Sequence, residues 1–237
     1  MHKKKIFHFK KFSVHHDRCT MKVGTDGVLV GSWSRTEGAQ RILDIGTGSG
    51  VIALIMAQRT NEHVRIDAVE ISEVDFLQAR ENFLAAPWKE RMEIFHADIR
   101  QFSPGYQYDL IVSNPPFFSN SLPPPDRTRE LVRHTTSLSH NDLIEVCIKL
   151  LTPSGRLNVI LPLSEGQRFS DFALTKSLYC RRATALKTRK EKPVERLLLE
   201  FSRLPGELEK TEMLLYSDGE KPSMEYRSLT GSFYLNF

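Results

Sequence analysis

The sequence predicts an α/β protein of the doubly wound, Rossmann-like type. Between residues 41 and 162, short apolar runs with the length of buried strands alternate with segments of helical periodicity. The first run, RILDIG, leads into a glycine-rich turn. Alternation of this kind implies right-handed crossover connections and parallel strands that helices cover on both faces of the sheet.

Seven strands are predicted in chain order. Five come from apolar runs at residues 41 to 46, 64 to 71, 92 to 99, 108 to 113 and 155 to 162. The last two are RATALKTRK and VERLLLEFSR, which face each other across residues 191 to 193 as an antiparallel hairpin. We therefore expect a mostly parallel, seven-stranded sheet with a C-terminal antiparallel hairpin.

Three helices are predicted between these strands. The first follows the glycine turn directly. The second covers residues 72 to 86, with Ser72 as its N-cap. The third covers residues 139 to 151 and begins with a pair that is similar to a capping box, Ser139 and Asp142.

Positive charge is concentrated in two segments of a 237-residue chain whose net charge is only +4. Residues 1 to 24 carry seven Lys and Arg against one Asp, and residues 181 to 196 carry seven against two Glu. If the two segments converge in space, their charge predicts a surface that binds a polyanion. The simpler interpretation is that each segment is an ordinary stretch of solvated surface. We expect residues 1 to 34 to form a basic N-terminal extension that packs on the core, residues 35 to 237.

Several classes of protein are disfavoured. The longest apolar run covers residues 51 to 57, far short of a membrane span, and no apolar stretch of a secretory signal follows the first basic residues. Cys19, Cys147 and Cys180 show no C-x-x-C spacing, which argues against a disulfide framework and a zinc site. We expect a cytoplasmic protein without a metal and without an obligate protein partner.

The turn after the first strand predicts a cofactor site. In DIGTGSG, residues 44 to 50, the glycines Gly46, Gly48 and Gly50 give G-x-G-x-G, whereas the dinucleotide fingerprint requires its third glycine one place later. Asp44 would repel a pyrophosphate and favour an ammonium group. These features favour S-adenosylmethionine, which carries an ammonium and a sulfonium but no phosphate, over a nicotinamide cofactor.

Two more acidic residues end the following strands. Glu70 ends the second strand, where a doubly wound sheet places the carboxylate that binds ribose hydroxyls. Asp98 ends the third and is placed to accept from the adenine amine, with Ile71 and Ile99 flanking the ring. One such residue alone is more typical of a helix cap or a turn, but three in register behind the glycines indicate a cofactor site.

The fourth strand ends in Asn114, Pro115, Pro116 and Phe117. Two consecutive prolines fix the backbone there, which holds the Asn114 oxygen and the Pro115 carbonyl as acceptors for one amino group of a substrate. Such acceptors would turn the nitrogen lone pair toward the methyl group of the sulfonium. Phe117 offers a stacking face for an extruded base. The alternative is that the prolines only terminate the strand.

These motifs support a family resemblance. DIGTGSG, VEIS, AD at 97 to 98 and NPPF together resemble class I S-adenosylmethionine-dependent methyltransferases that act on amino groups. The segments HFKKFSVHHDRCTMKVGTDGVLVGSW, RTRELVRHTTSLSHNDLI and YRSLTGSFYLNF resemble the bacterial tRNA (adenine-N6)-methyltransferase family. That family modifies the adenosine beside the anticodon of a valine tRNA, and the likeness runs nearly end to end.

The resemblance implies a cofactor, a substrate and site residues. It implies S-adenosylmethionine as the cofactor, tRNA as the substrate, and residues 35 to 237 as a class I methyltransferase domain. It also implies that Lys22 to Asp26, with Lys22, Gly24 and Thr25 as cofactor-binding residues, form the edge that closes on the methionine carboxylate, and that Asn114 to Phe117 form the catalytic loop. It agrees with the charge pattern, and the tRNA-binding residues predicted from the two basic segments and from the hypothetical lid are Lys3, Lys4, Lys5, Lys10, Lys11, Arg18, Arg129, Arg133, Arg181, Arg182, Lys187, Arg189 and Lys190.

Several alternatives stay open at this point. The chemistry of the site does not separate the amine of adenine from that of guanine in ribosomal RNA, or from the side-chain amide of glutamine in a protein. A catalytically idle RNA-binding module and a nicotinamide-dependent dehydrogenase are the other classes, which the intact loop motifs and the lack of a hydride-transfer set disfavour. Residues 126 to 138 are a hypothetical mobile lid or, equally, a solvated helix end.

Overall fold

The computed structural model describes residues 6–116, 138–217 and 221–236. These residues form a central eight-stranded sheet and a separate two-stranded hairpin near the N-terminus. The strands are β1 (Ile6–His8), β2 (Ser13–His15), β3 (Arg41–Ile45), β4 (Arg65–Glu70), β5 (Met92–His96), β6 (Tyr108–Ser113), β7 (Leu151–Pro162), β8 (Tyr179–Lys187), β9 (Arg196–Ser202) and β10 (Glu209–Leu214).

Helices connect most of the central strands. Within the described residues they are α1 (Thr25–Trp33), α2 (Val51–Arg59), α3 (Glu73–Ala85), α4 (His140–Leu150), α5 (Leu163–Thr175) and α6 (Met224–Thr230). The predicted caps are confirmed. Ser72 accepts from the backbone N–H of Asp75 at the start of α3, and Ser139 forms a capping box with Asp142 at the start of α4.

The central sheet is doubly wound, as predicted. Its strand order is β10, β8, β9, β7, β6, β3, β4 and β5, and β9 is the one strand in the described sheet that runs antiparallel to its neighbours. The chain moves outward from β3 to β5 and then returns to β6 on the other side of β3. Ligands of doubly wound sheets bind at such a switch point, at the carboxyl ends of the strands.

The sheet has one strand more than the seven predicted. The additional strand, β10, pairs in parallel with β8 at the edge of the sheet. Its sequence, EKTEML, is mostly polar, and most of its side chains are exposed. An edge strand of this composition lacks the apolar alternation on which the strand predictions rest.

Two apolar clusters cover the two faces of the sheet. Ile42 of β3 packs into the cluster that contains α1 and α2, whereas Leu43 and Ile45 of the same strand pack with α4 and α5. This division follows from the alternation of side chains along a strand. Because β3 is covered on both sides, its carboxyl end is held firmly.

The N-terminal hairpin packs on the core through aromatic side chains. The rings of Phe9 and Phe12 stack with centroids 4.5 Å apart, and Phe12 contacts Trp88 edge-on at 5.9 Å. The chain then runs along α3 as a segment that we call the arm, residues 13–22. The division expected at residue 34 falls after α1, and it stays a prediction.

None of the helices in the described parts of the chain has the length and apolar content that crossing a membrane requires.

Candidate active site

A cleft of about 600 Å³ opens at the carboxyl ends of β3, β4 and β6. Eleven of the residues predicted for the site line it, namely Lys22, Gly24, Thr25, Gly46, Gly48, Glu70, Ile71, Ile99, Asn114, Pro115 and Pro116. Phe117 lies outside the described residues. The fold thus brings together segments that are far apart in the sequence, at the place that the strand order indicates.

The glycine turn between β3 and α2 has the conformation that its sequence requires. Gly46, Gly48 and Gly50 have φ angles of 69°, 55° and 85°, in the left-handed region that favours glycine. A Cβ atom on Gly50 would lie 2.6 Å from the Phe83 ring of α3. Gly50 therefore permits both the turn and the close packing of α3 beneath it, although its own backbone does not line the cleft.

Asp44 supports this turn from below. Its carboxylate is fully buried, and one oxygen accepts from the Thr47 hydroxyl at 2.6 Å and from the Ala53 backbone N–H at 3.1 Å. The other oxygen, Oδ1, has no partner among the described residues. Burial raises the pKa of Asp44 to about 7. The expectation that Asp44 stands at the mouth of the strand is wrong, because its side chain braces the turn and does not line the cleft.

Glu70, at the end of β4, does line the cleft. One carboxylate oxygen accepts from the Gly48 backbone N–H and the other accepts from the Ser72 backbone N–H, each at 2.9 Å. These two bonds fix the carboxylate and leave each oxygen with a further lone pair. Glu70 thus presents acceptor oxygens to the cleft, and its contact with ribose hydroxyls stays a prediction.

Asp98 is placed differently from the prediction. Strand β5 ends at His96, and the side chain of Asp98 turns to Arg100, whose Nε lies 2.9 Å from both carboxylate oxygens. The hydrogen bonds from Arg100 lower the pKa of Asp98. The flanking residues Ala97 and Ile99 line the cleft, whereas Asp98 does not. A contact of Asp98 with an adenine amine therefore stays a prediction.

Asn114 follows β6 on the opposite side of the cleft from Glu70. The end of β6 is fixed to β3, because the Ser113 hydroxyl donates to the Ile45 carbonyl at 2.9 Å. The side-chain oxygen of Asn114 is buried, and it has no hydrogen-bond partner among the described residues. Pro115 and Pro116 follow directly and line the cleft with it. The site thus contains a buried, unbonded acceptor directly after a strand end that is fixed to its neighbour.

Three polar side chains of α3 hold the arm and were not predicted from the sequence. Asp75 accepts from the Thr20 backbone N–H at 2.8 Å, Gln78 accepts from Arg18, and Asn82 bonds to His15. The three helix residues are buried and lie three and four positions apart, on one face of α3. Polar residues at that spacing, in a helix expected to pack on a sheet, are the signal that could have identified them.

The predicted tRNA-binding residues have diverse surroundings. Lys3, Lys4, Lys5, Arg129 and Arg133 lie outside the described residues, as does most of the hypothetical lid. Arg18 donates to Gln78 and Glu81, Lys10 to the Gly231 carbonyl, Arg181 to the Leu204 carbonyl, and Lys187 pairs with Glu212. Lys11 and Lys190 are exposed, and Arg189 is partly exposed.

Arg182 is the clear exception to a surface role. It is buried, its guanidinium lies 3.5 Å from the centre of the Trp33 ring, and it donates to Glu200 at 3.0 Å. Burial lowers its pKa. The prediction that Arg182 contacts tRNA is wrong for this structure, because the side chain joins α1 to the sheet instead of facing solvent.

Both basic segments nevertheless reach the cleft. The arm lines it through Thr20, Met21 and Lys22. The connection between β8 and β9 lies at the same end of the sheet as the cleft. At the start of β9, Arg196 donates to Asp26, a residue that lines the cleft, at 3.0 Å. Among the described residues no cluster of His, Cys, Asp and Glu is suited to hold a metal ion. Both positive segments therefore lie at the end of the sheet where the cleft opens, and their contact with a polyanion stays a prediction.

Comparisons with known proteins agree with this architecture. Residues 24–167 match the family model of the methyltransferase small domain. A tRNA1(Val) (adenine(37)-N6)-methyltransferase from Tolumonas auensis is 44% identical over 229 residues, which cover 97% of this chain and 96% of that protein.

Two solved structures show the same fold at low sequence identity. A predicted O-methyltransferase from Agrobacterium tumefaciens superposes with a TM-score of 0.68 at 18% identity, over 88% of this chain and 96% of that one. The glycopeptide N-methyltransferase MtfA, in complex with S-adenosylmethionine, gives 0.57 at 12% identity, over 78% and 100%. Because the family model matches residues 24–167 and the relative from Tolumonas auensis is 44% identical over 97% of this chain, the chain belongs to the methyltransferase small domain family and, within it, to the tRNA1(Val) (adenine(37)-N6)-methyltransferases.

Proposed function

We propose that this protein transfers a methyl group from S-adenosylmethionine to the N6 amine of an adenosine in tRNA. The position named for its relatives is adenosine 37 of tRNA1(Val). The observation that supports the chemistry best is the buried, unpartnered side-chain oxygen of Asn114, which lies in the cleft beside two prolines. A buried acceptor without a partner costs free energy unless a ligand supplies the donor.

The cleft fits S-adenosylmethionine better than a dinucleotide. Its described charged residues are three carboxylates, Asp26, Glu70 and Asp75, and one ammonium, Lys22. This balance disfavours a pyrophosphate and favours a ligand that carries positive charge. The glycine turn accepts the methionine portion, Glu70 accepts from the ribose hydroxyls, and Ile71 and Ile99 flank the adenine. When bound, the cofactor supplies a methyl group on a positively charged sulfur.

The catalytic contribution of the chain is to orient the amine. The Asn114 oxygen and the Pro115 carbonyl each accept one N6 hydrogen, which frees the nitrogen lone pair from the ring system. These two acceptors would aim the lone pair at the methyl group, whose bond to sulfur would break as the new carbon–nitrogen bond forms, with the electron pair of the broken bond staying on sulfur. The surplus proton leaves to water. Phe117, outside the described residues, is proposed to stack on the extruded base.

The RNA is proposed to lie across the arm and the connection between β8 and β9. Both segments carry positive charge and both reach the cleft, which supports one continuous binding surface. Contacts with phosphate release counterions, so the affinity falls as the salt concentration rises. We propose the cytoplasm as the compartment, in agreement with the free thiols of Cys19, Cys147 and Cys180. The proposal includes no obligate protein partner.

The decisive experiment uses bulk tRNA from a strain that lacks this enzyme. The protein is incubated with that tRNA and labelled S-adenosylmethionine, and the methylated nucleoside is identified by mass spectrometry. N6-methyladenosine is the expected product, and Asn114→Ala protein should form it about 10²- to 10³-fold more slowly than the parent. N2-methylguanosine, or methylation of protein instead of RNA, would contradict the proposed substrate.

A further inference from the structure

Asn82 of α3 joins two segments that form walls of the cleft. Its side chain is 1% exposed, and all its polar groups are engaged. The amide nitrogen donates to the carbonyls of His15 and Ser49, each at 2.8 Å, and the amide oxygen accepts from the His15 backbone N–H at 2.9 Å. One buried amide thus holds the arm and the glycine turn at the same time.

Both of the segments that Asn82 holds contribute to the cleft, whereas Asn82 itself does not line it. The glycine turn contributes Gly46 and Gly48, and the arm contributes Met21 and Lys22. A displacement of either segment therefore changes the shape of the cofactor site. Any effect of Asn82 on the reaction must be transmitted through these neighbours.

The other polar residues on this face of α3 do not make the same link. Gln78 accepts from Arg18, in the arm alone. Asp75 accepts from the Thr20 N–H and also lines the cleft, so a change at Asp75 would alter the site directly. Asn82 is the described residue of this face whose side chain bonds to both the arm and the turn.

We propose that Asn82 is a positioning residue that couples the arm to the glycine turn, so that cofactor affinity depends on a docked arm. Without the Asn82 side chain, the Ser49 carbonyl, which is buried, and the His15 carbonyl, which is partly buried, would lose their hydrogen-bond donor. The arm and the glycine turn would then separate, because each carbonyl needs a donor and water is the one at hand. The coupling is reciprocal. RNA that holds the arm in place would tighten cofactor binding, a consequence that rests on the proposed function.

The test measures binding of S-adenosylhomocysteine by titration calorimetry, without RNA. Asn82→Asp keeps the acceptor for the His15 N–H but replaces both donors by a charged oxygen that faces two carbonyls. We expect the dissociation constant to rise about tenfold or more. Asn61→Asp is the matched control, because it makes the same change at an exposed turn, where the Asn61 oxygen accepts from the His63 N–H. Its affinity should equal that of the parent.

A second control separates positioning from a general loss of stability. Thr230→Val removes a buried hydroxyl that donates to the Tyr226 carbonyl in α6, a helix that contributes no residue to the cleft. It should lower the melting temperature and leave the affinity unchanged. If Asn82→Asp melts earlier but binds the ligand as the parent does, the proposal is overturned.

If Asn82→Asp does not fold, Asn82→Ser carries the same test. Its hydroxyl can donate to one of the two carbonyls, and we expect a loss of about threefold in affinity. Parent-like affinity in a folded Asn82→Ser protein would overturn the proposal.

Turnover on tRNA supplies a readout that a purely structural role would not move. The KM for S-adenosylmethionine should rise in parallel with the dissociation constant, while kcat at saturating cofactor stays within about threefold of the parent, because Asn82 touches no reacting atom. A collapse of kcat with unchanged cofactor affinity would contradict the proposal. If even the parent fails to methylate tRNA, the proposed function fails, and the binding results still decide the role of Asn82.

Discussion

The two sides of the cleft differ in how their polar groups are used. On the cofactor side, the two oxygens of Glu70 accept from Gly48 and Ser72, and Asp44 braces the turn through Thr47 and Ala53. On the transfer side, the Asn114 oxygen is buried without a partner among the described residues. Apart from Asp44 Oδ1, which lies beneath the turn and outside the cleft, the described acceptors of the cofactor side named here are bonded before any ligand arrives, whereas the transfer side keeps an unbonded acceptor in the cleft itself.

Because of this difference, substitutions on the two sides should affect different properties of the protein. Satisfied hydrogen bonds on the cofactor side stabilise the folded chain, so changes there should lower both stability and cofactor affinity. A buried acceptor without a partner costs roughly 1–3 kcal/mol, so a change at Asn114 should reduce turnover without lowering stability.

The largest expected effect is on the braced side, at Gly50. Alanine there must adopt a left-handed φ and place its Cβ 2.6 Å from the Phe83 ring. Strain and overpacking together should lower the free energy of unfolding by roughly 2–6 kcal/mol. Chemical denaturation of Gly50→Ala measures this change. Gly38, which also has a positive φ but has open space around it, provides the control substitution Gly38→Ala, and its loss should be smaller.

The buried carboxyl of Asp44 predicts a dependence of stability on pH. Its folded-state pKa is about 7, above the unfolded value of roughly 3.9, so the folded chain keeps a proton that the unfolded chain has released between these limits. The free energy of unfolding should therefore fall as the pH rises through this window. Relative to Asp44→Asn, the parent should lose roughly 2–3 kcal/mol between pH 5 and pH 8.

Urea titrations of both proteins at the two pH values test this sign. Parallel pH dependences of parent and Asp44→Asn would show that the Asp44 carboxyl does not titrate in this window.

A change at Glu70 should affect cofactor binding more than turnover. Glu70→Gln replaces one acceptor by an amide nitrogen, so either the Gly48 or the Ser72 N–H loses its partner and the turn loosens. We expect the dissociation constant of S-adenosylhomocysteine to rise about tenfold, with kcat at saturating cofactor almost unchanged. Glu62→Gln, at an exposed position, should bind as the parent does. A large loss of kcat in Glu70→Gln would place this residue on the transfer side instead.

The smallest effect is expected outside the cleft, on RNA affinity. Lys190→Ala, in the exposed connection between β8 and β9, should weaken tRNA binding a few-fold and reduce the slope of log affinity against log salt by about one. Lys149→Ala is the control. Lys149 is exposed at the C-terminal end of α4, which lies at the end of the sheet opposite the cleft, so this substitution should leave the slope unchanged. Equal slopes in all three proteins would remove this connection from the RNA surface.

The parts of the fold that bury apolar side chains could be predicted from the sequence. The runs that became β3, β4 and β6 are apolar because both faces of the sheet are covered, and the glycines at 46, 48 and 50 indicated the turn because its φ angles exclude most other residues. Strand β10 could not be predicted this way, because it is held at the edge by backbone hydrogen bonds and carries polar side chains.

The side-chain partners that decide the roles of charged residues could not be predicted. Nothing in a count of basic residues shows that Trp33 and Glu200 bury Arg182, since both partners are distant in the sequence. Asp98 is diverted by a residue only two positions away, but a carboxylate after a strand is equally compatible with a ligand contact and with a local ion pair. The position of a residue was thus easier to predict than the direction of its side chain.

The most direct test of the account is the single-turnover rate of Asn114→Ala, with tRNA and S-adenosylmethionine both saturating. We predict a rate constant about 10²- to 10³-fold below that of the parent, together with unchanged affinity for S-adenosylhomocysteine and a melting temperature that is no lower. A variant that transfers methyl groups as fast as the parent, or one that loses activity only because it no longer binds the cofactor, would contradict the claim that the Asn114 oxygen is held in reserve for the substrate amine.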